Sequence, residues 1–180
     1  MKWVKQSIHY WCPDTKEHKF LGQNVTVAIL DTGISPHPDF KDRILSFRDF
    51  SSTTGSSEKV SHFSPLIDNS GHGTHVAGIL AGSGLLSSGT YAGIAPFCNL
   101  IIGKVLDQNG NGSIKNVING IQWIRDIYTQ FHIRIINISV GTRPDLSIHQ
   151  KLLLLNAVES LWDLGLVVVV SAGNYGPAPG

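Results

Sequence analysis

Asp31 stands directly behind the apolar run Val25-Thr26-Val27-Ala28-Ile29-Leu30 and opens the tripeptide Asp31-Thr32-Gly33. His72 stands in the glycine-framed block Ser70-Gly71-His72-Gly73-Thr74-His75-Val76-Ala77-Gly78. A carboxylate at the end of a buried strand and an imidazole at a helix start are two parts of an acid, base and nucleophile arrangement. Asp31 would meet Nδ1 of His72, fix its tautomer and stabilise the imidazolium, leaving Nε2 free to take a proton. A later apolar run, Leu166 to Val170, leads into Ser171-Ala172-Gly173-Asn174, and the Asn174 amide is a neutral donor of the kind a developing oxyanion needs. The third part is missing: Ser70, Ser139 and Ser171 sit in no recognisable nucleophile turn.

The elements that must position these groups alternate between strand and helix patterns, as in βαβ units around a parallel sheet. Strands are predicted over Val25–Leu30, Arg43–Phe50, Leu100–Val105, Ile133–Ile138 and Leu166–Val170, with the last central in a complete sheet. Asp31, Ser139 and Asn174 fall at or near the carboxyl ends of strands, where open parallel sheets collect ligands. A Gly- and Ala-rich helix is predicted over Gly71–Gly82. A second is capped by Ser113, with Ile114, Val117, Ile118, Ile121, Ile124 and Tyr128 along its sheet-facing stripe. Ser147 opens a third, with Ile148, Leu152, Leu155, Val158 and Trp162 on one face and Gly165 as its left-handed end. Right-handed crossovers are expected to place all of them. A Ser-rich loop fills Ser51 to Asn69. We expect a leader over residues 1–23 and one domain over 24–180.

Composition excludes several classes. The 180 residues are 42% hydrophobic and 15% charged with a formal net charge of +1, the profile of a globular domain without basic blocks for nucleic acid or an anionic membrane. No apolar run is long enough to span a bilayer, and the first residues lack the apolar region of a secretory signal, so a cytoplasmic location is expected. Two cysteines make no disulfide framework, and both are read as reduced thiols, with Cys98 the more buried. Neither has the context of a catalytic thiol. His72 and His75 lack a third neighbouring ligand for a metal, and His75 is read as a packed helix histidine. Asp-Thr-Gly is also the aspartic-peptidase signature, but that fold is mostly β and needs a second such carboxylate.

From about Asn24 to Gly180 the chain resembles the subtilisin-like serine peptidases. The resemblance rests on Asp31-Thr32-Gly33, the block Gly71-His72-Gly73-Thr74-His75-Val76-Ala77-Gly78, and Gly173-Asn174-Tyr175-Gly176-Pro177. It implies a three-layer α/β fold, incomplete at its C-terminal side, whose nucleophilic serine would lie beyond Asn174. It implies Asp31 and His72 as catalytic and Asn174 as oxyanion donor. It also implies that peptide or protein substrates lie between Gly110-Asn111-Gly112 and the edge made by Ser139-Val140-Gly141 and Ser171-Ala172-Gly173. No organic cofactor is implied. Asp39 matches a stretch that supplies a calcium ligand in some members, but a solvated turn carboxylate is the reading preferred here. The function expected is peptide-bond hydrolysis, with a non-catalytic truncated relative that keeps a peptide groove as the alternative.

Overall fold

The structure, a computed structural model, describes residues 2–10, 20–51, 66–141 and 146–173. Along them run α1 (Lys2–Ser7), β1 (Thr26–Asp31), β2 (Ile44–Asp49), α2 (His72–Ala81), β3 (Asn99–Lys104), α3 (Ile114–Ile127), β4 (Ile133–Ile138), α4 (Ile148–Trp162) and β5 (Val167–Val170). The strands form one parallel sheet in the order β2-β3-β1-β4-β5. This is the expected parallel α/β architecture.

β1 carries no exposed residue because it is covered on both faces. Ala28 and Leu30 pack with Ile101, Val117, Ile121, Ile124, Ile136 and Leu161 under α3 and α4. Val27 and Ile29 point the other way and pack with Leu100, Ile102, Ala77 and Ala81 under α2. Each fully buried Ile or Leu is worth roughly 1.5–3 kcal/mol, so this double-sided core fixes β1, and with it the residue at its carboxyl end, as the most firmly held part of the sheet.

That division of helices corrects one expectation. Moving along the sheet from β2 to β3, β3 to β4 and β4 to β5 is movement in one direction, yet α2 lies on the opposite face from α3 and α4. The β2-α2-β3 connection therefore has the opposite hand to the other two, against the right-handed rule. The rule is a strong tendency, and here the packing of Ala77 and Ala81 with Val27 and Ile29 holds α2 on the other face. The departure brings the N-terminus of α2 over the carboxyl end of β1.

The caps read from sequence are in place. Ser113 Oγ accepts from the Asn116 amide, and Ser147 forms a reciprocal capping box with Gln150. α4 closes through Gly165 N–H to Trp162 O at 2.8 Å and Leu166 N–H to Leu161 O at 3.2 Å, with Gly165 at φ +78°. Its sheet-facing stripe differs from the one expected. Leu154, Ala157, Val158 and Leu161 face the core, while Ile148, Leu152, Leu155 and Trp162 are exposed. The run Leu152-Leu153-Leu154-Leu155 is apolar all round, so the sequence offers two stripes and only packing selects one. The N-terminal segment returns to the domain, where the Tyr10 hydroxyl donates to Ile94 O at 2.7 Å.

Within the described residues β5 is an edge strand, paired only with β4. Val167, Val169 and Val170 are 57%, 47% and 59% exposed. A flat apolar edge templates pairing with another chain. The 180-residue chain is expected to associate with rising concentration and to bind a hydrophobic dye, with Val169→Lys reducing both. Light scattering and dye fluorescence read this, and a dye-free monomer with a sharp cooperative melt would contradict it.

Candidate active site

Asp31 is the last residue of β1 and is fully buried. Its carbonyl accepts from the amides of Val105 and Leu106 at 2.9 and 3.2 Å, which locks the strand end to the segment that follows β3. Its Oδ1 accepts from the Thr32 amide at 2.6 Å and meets His72 Nδ1 at 2.7 Å. Oδ2 is buried with no partner among the described residues. His72 is the first residue of α2, and its side chain is 55% exposed, so one edge of the ring is bound and the other faces solvent. A carboxylate oxygen accepts hydrogen bonds, so the Nδ1–H tautomer is the one that fits this contact, and it leaves the Nε2 lone pair on the open edge of the ring.

Two glycines make this approach possible. A Cβ on Gly73 would stand 2.2 Å from Gly33 O, so α2 lies backbone to backbone on the turn after Asp31. Gly33 has φ +119°, and a Cβ there would stand 2.0 Å from Ile67 O. The segment before α2 is thus pressed against the same turn.

Three further residues hold the turn, and sequence reasoning missed all of them. The buried Lys104 ammonium donates to Thr32 O and Leu106 O, both at 2.7 Å. The Thr32 hydroxyl accepts from the Gly73 amide at 2.9 Å and donates to Asp68 Oδ1 at 2.9 Å. Asp68 in turn accepts from the amides of Ser70, Gly71 and Thr74 and from the Thr74 hydroxyl. The available signal was an aspartate shortly before a helix start, which reads as an ordinary N-terminal cap.

Burial raises the Asp68 carboxyl, but hydrogen bonds from Thr74, Gly71 and Thr32 outweigh it and hold it below the ordinary value of 3.8. A depressed folded-state value contributes stability that is present above the unfolded value and lost as pH falls through the folded one. Wild-type chain is therefore expected to lose stability below pH 3.8 in a step that Asp68→Asn lacks. At neutral pH the variant should be the less stable of the two. Denaturant melts across pH 2–7 test this, and parallel profiles for the two proteins would refute it.

In front of His72 lies a cleft of about 1380 Å³. Gly110, Asn111 and Gly112 line one side, and Ser139, Val140, Gly141, Ser171, Ala172 and Gly173 line the other. The first edge is shaped by Asp107, whose Oδ1 accepts from the amides of Asn109 and Asn111 at 2.8 and 2.9 Å. The second edge is tied together by the Ser171 hydroxyl, which donates to Val140 O at 3.2 Å, and by Asn137, which donates to Ser139 Oγ at 2.7 Å. Ser139 and Ser171 thus have partners other than His72. Asn174 lies outside the described residues.

Further expectations need correction or placement. His75 is exposed, not packed, because the buried side of α2 is Gly73, Ala77 and Ala81. Asp39 is no solvated turn carboxylate. Its side chain is 14% exposed and accepts from the amides of Gly84 at 2.9 Å and Leu86 at 3.2 Å. Among the described residues no group of three or more His, Cys, Asp or Glu side chains could hold a metal ion. Cys98 is a buried free thiol, pushed by burial up to about 11. Cys12 lies outside the described residues.

Comparison with known proteins gives a consistent result. The family model described as the subtilase family matches residues 22–179. The serine protease AprX of Bacillus subtilis (strain 168) is 42% identical over 161 residues, covering 87% of this chain and 34% of that protein. The major intracellular serine protease of the same strain is 38% identical, covering 86% and 44%. The minor extracellular protease Epr, also of that strain, is 36% identical over 86% of this chain and 21% of its own length. Among solved structures, sphericase superposes with a TM-score of 0.76 at 28% identity, covering 98% of this chain and 54% of that one. A cold-adapted subtilisin-like serine proteinase gives 0.62 at 29% identity, covering 87% and 49%. The chain thus spans less than half the length of these sequence relatives and about half of these solved structures. None of the described helices is long and apolar enough to cross a membrane, and the relatives include both intracellular and extracellular proteases. On its buried Asp31, its paired His72, the parallel sheet that brings them together and a family match over nearly its whole length, this chain belongs to the subtilase family of serine peptidases.

Proposed function

We propose that these residues form the acid and base part of a serine endopeptidase site, completed by a nucleophilic serine from outside the 180 residues. The observation that carries this reading is the 2.7 Å contact between His72 Nδ1 and Asp31 Oδ1, with the carboxylate buried and the imidazole half exposed beside the cleft. Asp31 holds the imidazole in the Nδ1–H tautomer and balances the charge it acquires. His72 Nε2 takes the serine proton as the hydroxyl attacks the scissile carbonyl, then gives it to the leaving amine. The substrate is a peptide or protein segment lying extended between the Gly110–Gly112 and Ser139–Gly141 edges. Main-chain pairing supplies affinity there, which favours broad specificity. Asn174 donates its side-chain amide to the oxyanion. The reaction needs no organic cofactor.

A serine-directed fluorophosphonate tests the reading. The 180-residue chain alone is expected to remain unlabelled, because the base has no nucleophile to activate. A chimaera that joins it to the serine-bearing segment of a related subtilase should be labelled, and His72→Ala should abolish the labelling. Labelling of the isolated chain that depends on His72 would overturn the division of roles. A folded chimaera that binds peptide but takes no label would favour the non-catalytic relative.

A further inference from the structure

α2 has an unusual task, because it must hold a charge-bearing ring within hydrogen-bond distance of a buried carboxylate while contributing little apolar burial. Its fully buried residues are Gly73, Ala77 and Ala81, and its larger apolar residues Val76 and Leu80, which follow the first turn, are only partly buried against the core. A buried Leu or Ile would contribute roughly 1.5–3 kcal/mol, and the small residues give much less. Gly71, at the helix N-cap, has no side chain with which to satisfy the first-turn amides. Something else sets the position of the first turn over β1.

We propose that Asp68 is a positioning residue for His72, acting as a clamp between the Asp31-Thr32 turn and the first turn of α2. This rests on the reading of His72 as the base. One carboxylate oxygen, Oδ1, takes the Thr32 hydroxyl at 2.9 Å together with the amides of Gly71 at 2.9 Å and Ser70 at 3.2 Å. The other, Oδ2, takes the Thr74 amide at 2.8 Å and the Thr74 hydroxyl at 2.6 Å. His72 lies between the amides so bound. The Thr32 hydroxyl completes the link. Because it donates to Asp68, its lone pairs are left to accept from the Gly73 amide at 2.9 Å, directly after His72. Thr32 N–H meanwhile donates to the same Asp31 oxygen that receives His72. Acid and base are therefore referenced to one threonine, and its hydroxyl is oriented by Asp68. A second tie, in which the Ser35 amide donates to the Thr74 hydroxyl oxygen at 3.0 Å, joins the same helix turn to the chain following Gly33.

A carboxylate is required rather than an amide. Both oxygens act only as acceptors, toward donors on opposite sides, so Asn at this position could satisfy the Thr32 side or the Thr74 side but not both. Unsatisfied amides at the first turn would then pull α2 toward water, and the imidazole would leave its place over Asp31.

The test is imidazole nitrogen NMR on the 180-residue chain, which reads the His72 tautomer directly and needs no turnover. Wild type should show His72 as the Nδ1–H tautomer with a low-field proton shared with Asp31. Asp68→Asn and Asp68→Ala should lose that proton and shift His72 toward the Nε2–H form, with the amide resonances of β1 and β3 in place. Thr32→Ser keeps the hydroxyl and should behave as wild type, whereas Thr32→Val should reproduce the Asp68 spectra. The Thr32 pair reads the same link if an Asp68 variant does not fold. In the double variant Asp68→Asn/Thr32→Val, the loss should be no greater than in either single one. An unchanged low-field proton in folded Asp68→Asn, or identical spectra for Thr32→Ser and Thr32→Val, would overturn the proposal and leave the proposed function standing. Absence of the Nδ1–H signal from wild type would instead overturn the proposed function itself.

Discussion

In a chimaera that supplies the missing serine, Asp31→Asn is expected to lower kcat by about 10⁴-fold with little change in KM, the size of effect associated with triad aspartates in serine peptidases. The structure says where the loss arises. Asp31 Oδ1 is shared by the Thr32 amide at 2.6 Å and His72 Nδ1 at 2.7 Å, and Oδ2 has no partner among the described residues. If the Asn oxygen occupies the shared position, its NH₂ group is buried without an acceptor and the imidazolium has no counter-charge. If the NH₂ group occupies it, the group points at the Thr32 N–H and forces the proton of His72 onto Nε2. Either way the base is weakened when it must hold a proton. A substrate lying against the cleft edges, as proposed, would not touch the fully buried Asp31, so ground-state affinity should survive. Kinetics on one peptide substrate decide it: a loss in kcat below tenfold would make Asp31 a structural carboxylate.

The pairing of Asp31 with His72 was legible in the sequence because each residue is announced by local chemistry. Asp31 follows an uninterrupted apolar strand, and His72 sits among glycines whose only economical use is a close backbone approach. The cleft edges became legible only through family resemblance, since Gly110-Asn111-Gly112 and Ser139-Val140-Gly141 read alone as turns. Three features were hidden for physical reasons. The hand of the β2-α2-β3 connection depends on which face of the sheet α2 covers, and nothing in the sequence of α2 itself records that. The inward stripe of α4 is ambiguous because Leu152 to Leu155 offers apolar side chains in every direction. The roles of Thr32, Asp68 and Lys104 depend on partners distant in sequence, and each residue alone looks like a common turn, cap or surface residue. Lys104 is the sharpest case, a lysine whose ammonium is buried because two strand-end carbonyls converge on it.

Asn174→Ala in the same chimaera should lower kcat by about 10²–10³-fold and leave KM nearly unchanged, the magnitude established for loss of the oxyanion asparagine in subtilisin. We infer this role from the chain leading up to it. β5 ends at Val170, the Ser171 amide still donates to Ile138 O at 3.3 Å, and the Ser171 hydroxyl ties the segment to Val140, so the backbone is held to the cleft edge up to that point. Donors preorganised at the place where an oxyanion develops are worth most in a site shielded from water. The asymmetry between kcat and KM follows from where the charge is. A ground-state carbonyl oxygen carries only a partial charge and engages the amide weakly, whereas the tetrahedral oxyanion engages it fully, so removing the donor raises the transition state alone. His72 would still take its proton and the peptide would still pair with the cleft edges. Side-by-side steady-state kinetics separate the possibilities: a tenfold rise in KM with kcat preserved would make Asn174 a ground-state binding residue and move the oxyanion donor elsewhere.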